Sequence, residues 1–148
     1  MRYLICLLLS CLLLGACTQE TRESAQALNM YEQKMVGKKW VTTAAVDQNG
    51  RKVPAKDQKV TAFFGYAEYF KDHTFVMTTL DGKPKMHGLW KISEDGKSRT
   101  LTAQDDNGKN LFFRTVENVT LSSGEYTYRV YPDEKNKKDY IDIIHKPR

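Results

Sequence analysis

The chain has 148 residues, 41% hydrophobic and 11% aromatic, with a formal charge of +5. That is a length for one folded domain with a core of its own, and the composition excludes a disordered or low-complexity chain. Lys and Arg are interleaved with Asp and Glu, as in Asp133-Glu134-Lys135-Asn136-Lys137-Lys138-Asp139, so the mild positive balance reads as a solvated surface and no nucleic-acid partner is expected.

Residues 1–17, MRYLICLLLSCLLLGAC, set one charge at Arg2 before an apolar run from Tyr3 to Leu14, then two small residues and a cysteine. The run is short for a bilayer span, and the layout is that of an export signal with a small-residue cleavage site. Leu14-Gly15-Ala16-Cys17 resembles the lipobox of bacterial lipoproteins, which implies cleavage after residue 16 and acylation of Cys17. Cys11 fits less well, because bulky Leu9 stands where the pattern wants a small side chain. The segments expected are therefore a signal at 1–16, a lipidated cysteine and polar tether at 17–24, and a folded domain at 25–148.

Cys6, Cys11 and Cys17 all lie in this leader or at its end, so the mature domain has no thiol for a disulfide, a metal or nucleophilic catalysis. One acyl chain binds a membrane marginally and two bind stably, so a diacylglycerol cysteine implies a membrane as the first partner. Thr18 follows Cys17, not the Asp that in such lipoproteins directs retention at the inner membrane. The resemblance thus places the domain in the cell envelope, on the outer membrane facing the periplasm in a two-membrane bacterium.

Beyond the tether, Ala25, Leu28, Tyr31 and Met35 recur at intervals of three and four, which predicts a short N-terminal helix capped near Gly37. From Lys39 the pattern changes to short β-branched and aromatic runs about ten residues apart: 40–46, 59–64, 66–71, 74–80, 85–93, 98–104, 110–121, 125–131 and 140–145. The run 59–64 is ambiguous, since Val60, Phe63 and Phe64 also fit one helical turn. Asp47-Gln48-Asn49-Gly50, Asp81-Gly82, Asp95-Gly96 and Asp105-Asp106-Asn107-Gly108 supply hairpin chemistry between the runs. Alternation gives an inner face to Gly88, Trp90 and Ile92, to Tyr126, Tyr128 and Val130, and to Ile141 and Ile143. The fold class expected is mainly β: a short helix, then an antiparallel up-and-down, lipocalin-like barrel of about eight strands.

Several stretches carry a family resemblance: Met35-Val36-Gly37-Lys38-Lys39-Trp40-Val41-Thr42-Thr43, Gly65-Tyr66-Ala67, Gly88-Leu89-Trp90 and Tyr126-Thr127-Tyr128-Arg129-Val130-Tyr131-Pro132-Asp133. The chain resembles a bacterial lipoprotein family known as a domain of unknown function, DUF4822, with a lipocalin-like barrel. That resemblance implies a fold and no activity. A weaker likeness is to lipocalins, in which a Gly-x-Trp opens the first strand and a late-strand Arg stacks on the Trp; here the spacing is Gly37-x-x-Trp40. The likeness implies Trp40 and Arg129 as a barrel-closing pair.

No catalytic constellation stands out. The chain lacks the Gly-x-Ser-x-Gly elbow, a phosphate loop and a dinucleotide turn. His73, His87 and His145 share no ligand spacing, so they are expected to be exposed or locally satisfied; neither a metal nor a cofactor is expected. Asp105-Asp106-Asn107-Gly108 superficially resembles a calcium loop, but starting at Asp106 puts Leu111 where Gly is required. The aromatics are the suggestive set, with Phe64, Tyr66, Phe75, Trp90, Phe113 and Tyr128 as candidate pocket lining and a filled core as the favoured alternative. The function expected is a lipid-anchored, non-catalytic binding protein with an envelope protein as partner. The alternative is a carrier of a small apolar ligand, and an enzyme on a barrel scaffold ranks last.

Overall fold

A computed structural model describes residues 27–148. Eight antiparallel strands run in chain order: β1 (Lys39–Asp47), β2 (Tyr66–Tyr69), β3 (Thr74–Thr78), β4 (Pro84–Ile92), β5 (Ser98–Gln104), β6 (Asn110–Leu121), β7 (Tyr126–Val130) and β8 (Ile141–Pro147). Each pairs with its sequence neighbours, and β8 returns to pair with β1, so the barrel closes. Closure leaves no unpaired edge among the described strands, so the sheet is complete within residues 39–147.

The hairpins explain the up-and-down order. Asp47, Thr79, Ser93 and Asp105 each open a four-residue turn that ends on a glycine, whose N–H donates back to the carbonyl of the first residue at 2.8–2.9 Å. The opening side chain then accepts a backbone N–H just beyond the turn: Arg51 on Asp47, Lys83 on Thr79, Ser98 on Ser93 and Lys109 on Asp105. The fourth turn is the one that superficially resembled a calcium loop. At Gly96 the glycine is doubly required, since φ is +73° and a Cβ there would lie 2.6 Å from the ring of Tyr31.

Inward positions carry the expected alternation. Trp90 and Ile92 on β4, Tyr126 and Tyr128 on β7, and Ile141 and Ile143 on β8 are all buried in one core with Trp40, Tyr69 and Phe75. Gly88 is inward too, and any side chain there would run into the Thr102 carbonyl of the neighbouring strand.

Two elements differ from expectation. The N-terminal helix is a single 3-10 turn, Glu32–Lys34, and its predicted start at residues 24–26 lies outside the described residues. Asn29 and Glu32 cap each other and so fix where the turn begins: Asn29 Oδ1 accepts the N–H groups of Tyr31 (2.9 Å) and Glu32 (3.0 Å), while Glu32 Oε2 accepts that of Asn29 (2.9 Å). The run 59–64 is no strand; it holds the 3-10 turn Thr61–Phe63, because Val60 turns its side chain into the core while Thr61 and Ala62 stay exposed.

The two barrel ends are unlike. At one, the turn around Glu32 and buried Met35 seal the interior, and the hairpins are short. At the other, the long β1–β2 and β7–β8 connections frame an opening.

Candidate functional site

The sealed half of the barrel is filled. Trp40 meets Tyr126 edge-on at 5.1 Å between ring centres, and Tyr69 meets Trp90 at 5.0 Å. Both indole N–H groups are satisfied by backbone, Trp40 on the Met35 carbonyl (2.9 Å) and Trp90 on that of Phe70 (3.1 Å).

Midway along the axis the interior turns polar. Arg99 enters from β5, is only 3% exposed, and lies with its guanidinium carbon 4.6 Å from the ring centre of Tyr128 and 5.3 Å from that of Tyr126. Its Nη1 donates to the hydroxyls of Tyr69 and Tyr126, which bond each other at 3.1 Å, and its Nε has no partner. A guanidinium does not deprotonate in a protein, so this is a fixed buried charge. Burial pushes the Tyr128 phenol up to about 12 and that of Tyr126 well above its ordinary value, so neither is a counter-ion at neutral pH.

His145 of β8 stacks on Tyr126 with ring centres 4.3 Å apart, and its Nε2 lies 3.0 Å from Thr42 Oγ1. Burial first, and the Arg99 charge second, depress its pKa to about 3, so it is neutral. Its spacing from the other histidines predicts an exposed or locally satisfied residue. It is buried, and its Nδ1 has no partner.

Above this layer lies a cavity of about 90 Å³ at the open end. Arg99, Leu101, Tyr128 and Thr42 form its floor and lower wall; Phe63, Met77, Met86 and Phe112 form an apolar collar. Lys85 and Arg114 stand at its mouth, both on exposed stretches of strand. Arg114 packs over the Phe63 ring at 5.5 Å, and Lys85 donates to the Phe64 carbonyl at 3.1 Å. Partial burial lowers the Lys85 pKa from its ordinary value. Three cations thus border the cavity, and none of its lining residues is Asp or Glu.

The candidate lining residues divide. Tyr128 lines the cavity. Tyr66 borders it, but Arg148 donates to its hydroxyl (2.9 Å) and Lys39 lies over its ring, so the ring belongs to the outer face. Phe75 and Trp90 are in the filled half, and Phe64 packs against the core without lining the cavity. Phe113 is 77% exposed and points outward. Its neighbour Phe112 lines the cavity instead, because Phe112 pairs with inward Ala103 and a one-residue step along a strand changes the face.

Arg129 does not close the barrel on Trp40. It points outward, holds Asp142 with two bonds (2.8 and 3.0 Å) and stacks on Tyr140 at 3.6 Å. The cation over Trp40 is Lys38, at 5.3 Å. Parity explains this: Arg129 sits between inward Tyr128 and inward Val130 on β7, so it takes the outer face. Among the described residues no group of three or more His, Cys, Asp and Glu side chains gathers as a metal site. Cys17, where lipidation is expected, lies outside the described residues.

No curated protein matches the chain. Residues 32–148 match the family described as Domain of unknown function (DUF4822), beginning at the Glu32 that clasps the sealed end and ending past β8. With most of its length matched, including every strand of the barrel, the chain belongs to that family.

Proposed function

We propose that this chain is a non-catalytic binding protein of the bacterial cell envelope, anchored by lipid on Cys17, whose barrel takes a small, largely apolar molecule at its open end. The observation that carries the reading is the cavity: one half of the interior is packed solid, while the other keeps about 90 Å³ behind an apolar collar. Binding sites of this kind are concave, mostly apolar and furnished with a few convergent polar groups. The leader supports the anchor, and Thr18 after Cys17 supports the outer membrane. The filled half makes the ligand a short or partly protruding one.

Native mass spectrometry of residues 27–148, incubated with a lipid extract of the host envelope, tests the reading. Retention of a small molecule supports it, and retention must fall when Phe63→Trp plugs the collar. A bare mass with every extract counts against it. The second reading, a protein partner, draws on Leu111 (60% exposed), Phe112 (51%) and Phe113 (77%), three consecutive apolar residues on β6 at the same end. Crosslinking from position 113 in intact envelopes would reveal that partner.

A further inference from the structure

We propose that the cavity holds the carboxylate head of a small amphiphile on Arg99, with Arg114 and Lys85 drawing the anion in at the mouth. This rests on reading the cavity as a ligand site.

Three observations carry it. The first is the state of Arg99, a fixed charge at 3% exposure whose Nη1 finds only phenol oxygens as acceptors and whose Nε has no partner. Buried charges in proteins are normally paired, because the cost of desolvation is otherwise uncompensated. The one buried carboxylate among the described residues, Glu32, is at the sealed end and engaged by Asn29, His73 and the Ile92 N–H. The second is the sign of the site: Arg99, Arg114 and Lys85 border the cavity with no acidic lining residue, while the chain as a whole mixes both signs. The field at the mouth therefore favours an anion and repels a cation.

The third is size. A cavity of about 90 Å³ is smaller than the roughly 150 Å³ apolar cavity that takes up a benzene, so it encloses a head group and the first carbons of a chain. The rest of the chain would leave through the collar of Phe63, Met77, Met86 and Phe112. A guanidinium fork matches a planar carboxylate with two parallel bonds, which favours that head over a tetrahedral one.

Calorimetric titration of residues 27–148 at pH 7 with octanoate, octanol, octylamine and octyl sulfate provides the test. Octanoate is expected to bind at least tenfold tighter than octanol, and octylamine not measurably. Arg114→Gln and Lys85→Gln, at exposed positions that leave the core intact, should each weaken octanoate several-fold and leave octanol unchanged. In nitrogen-15 spectra the Arg99 Nε–H resonance should move with octanoate and not with octanol. Equal affinity for octanoate and octanol overturns the assignment of charge while the cavity reading stands. Tighter binding of octyl sulfate overturns the carboxylate. Failure of all four probes at millimolar concentration removes the cavity reading along with it.

Discussion

Thr42 has a single hydroxyl hydrogen, and it goes to the Phe63 carbonyl at 2.8 Å. Its oxygen must therefore accept from His145 Nε2, which fixes the tautomer and leaves the Nδ1 lone pair bare inside the barrel. Burial and the nearby Arg99 charge keep that lone pair unprotonated until about pH 3. In the unfolded chain the same imidazole takes its proton near pH 6.5. Below pH 6.5 the unfolded state binds a proton that the native state refuses, so stability falls as pH drops toward 3. Between pH 6 and pH 4 this one group should cost about 2 kcal/mol. Urea unfolding at those two pH values should show a decline in the wild type that is visibly smaller in His145→Phe, whose ring keeps the stack on Tyr126. Parallel declines in the two proteins would remove His145 as the cause. The signal for this residue was present in the alternation, since Ile141, Ile143 and His145 share the inward face of β8, but the basic tail after it suggested an exposed end.

Elements were legible where chemistry is local and obscure where it is not. Hairpins at Asp47, Ser93 and Asp105 announce themselves because one polar side chain, one glycine and four residues decide them. The helix expected from residue 24 is a 3-10 turn because a tertiary clasp outweighs periodicity: Glu32 Oε1 accepts the Ile92 N–H at 3.0 Å, its Oε2 meets His73 at 3.2 Å, and Asn29 Nδ2 donates to the Ile92 carbonyl at 2.9 Å. None of these partners is near in sequence. The site was half legible for the same reason. Arg99, Leu101 and Ala103 alternate inward on β5, yet nothing in one strand says that a lone arginine will meet three tyrosines from β2 and β7. The clasp yields a graded prediction. Glu32→Ala strands the buried Ile92 N–H and takes the partner from the half-buried His73 ring, and should cost about 3 kcal/mol, whereas Glu32→Gln keeps an acceptor and should cost about 1. Urea midpoints of the two variants check it, and equal losses would show that Glu32 contributes only packing.

At the scale of the whole molecule, the proposed anchor and the barrel occupy separate stretches of chain. All eight strands pair within residues 39–147, and among the described residues the core begins at Leu28. The chain path from Cys17 to Ala27 can span at most about 35 Å, set by the reach of ten extended residues. The described chain enters at the sealed end, beside Asn29 and Glu32, so on the reading proposed here the tether attaches opposite the mouth. That arrangement leaves the mouth free to face the aqueous side, or to approach the bilayer when the domain tips on its tether. On that reading acylation would fix where the protein resides without entering its stability or its ligand affinity. Cys17→Ala should abolish labelling by a radioactive fatty acid and leave the precursor with residues 1–16 attached. The same variant should unfold at an unchanged urea midpoint and bind octanoate with unchanged affinity. Continued labelling would move the lipid to Cys11. A lowered midpoint would mean that the barrel leans on its leader, against the closure of β8 on β1.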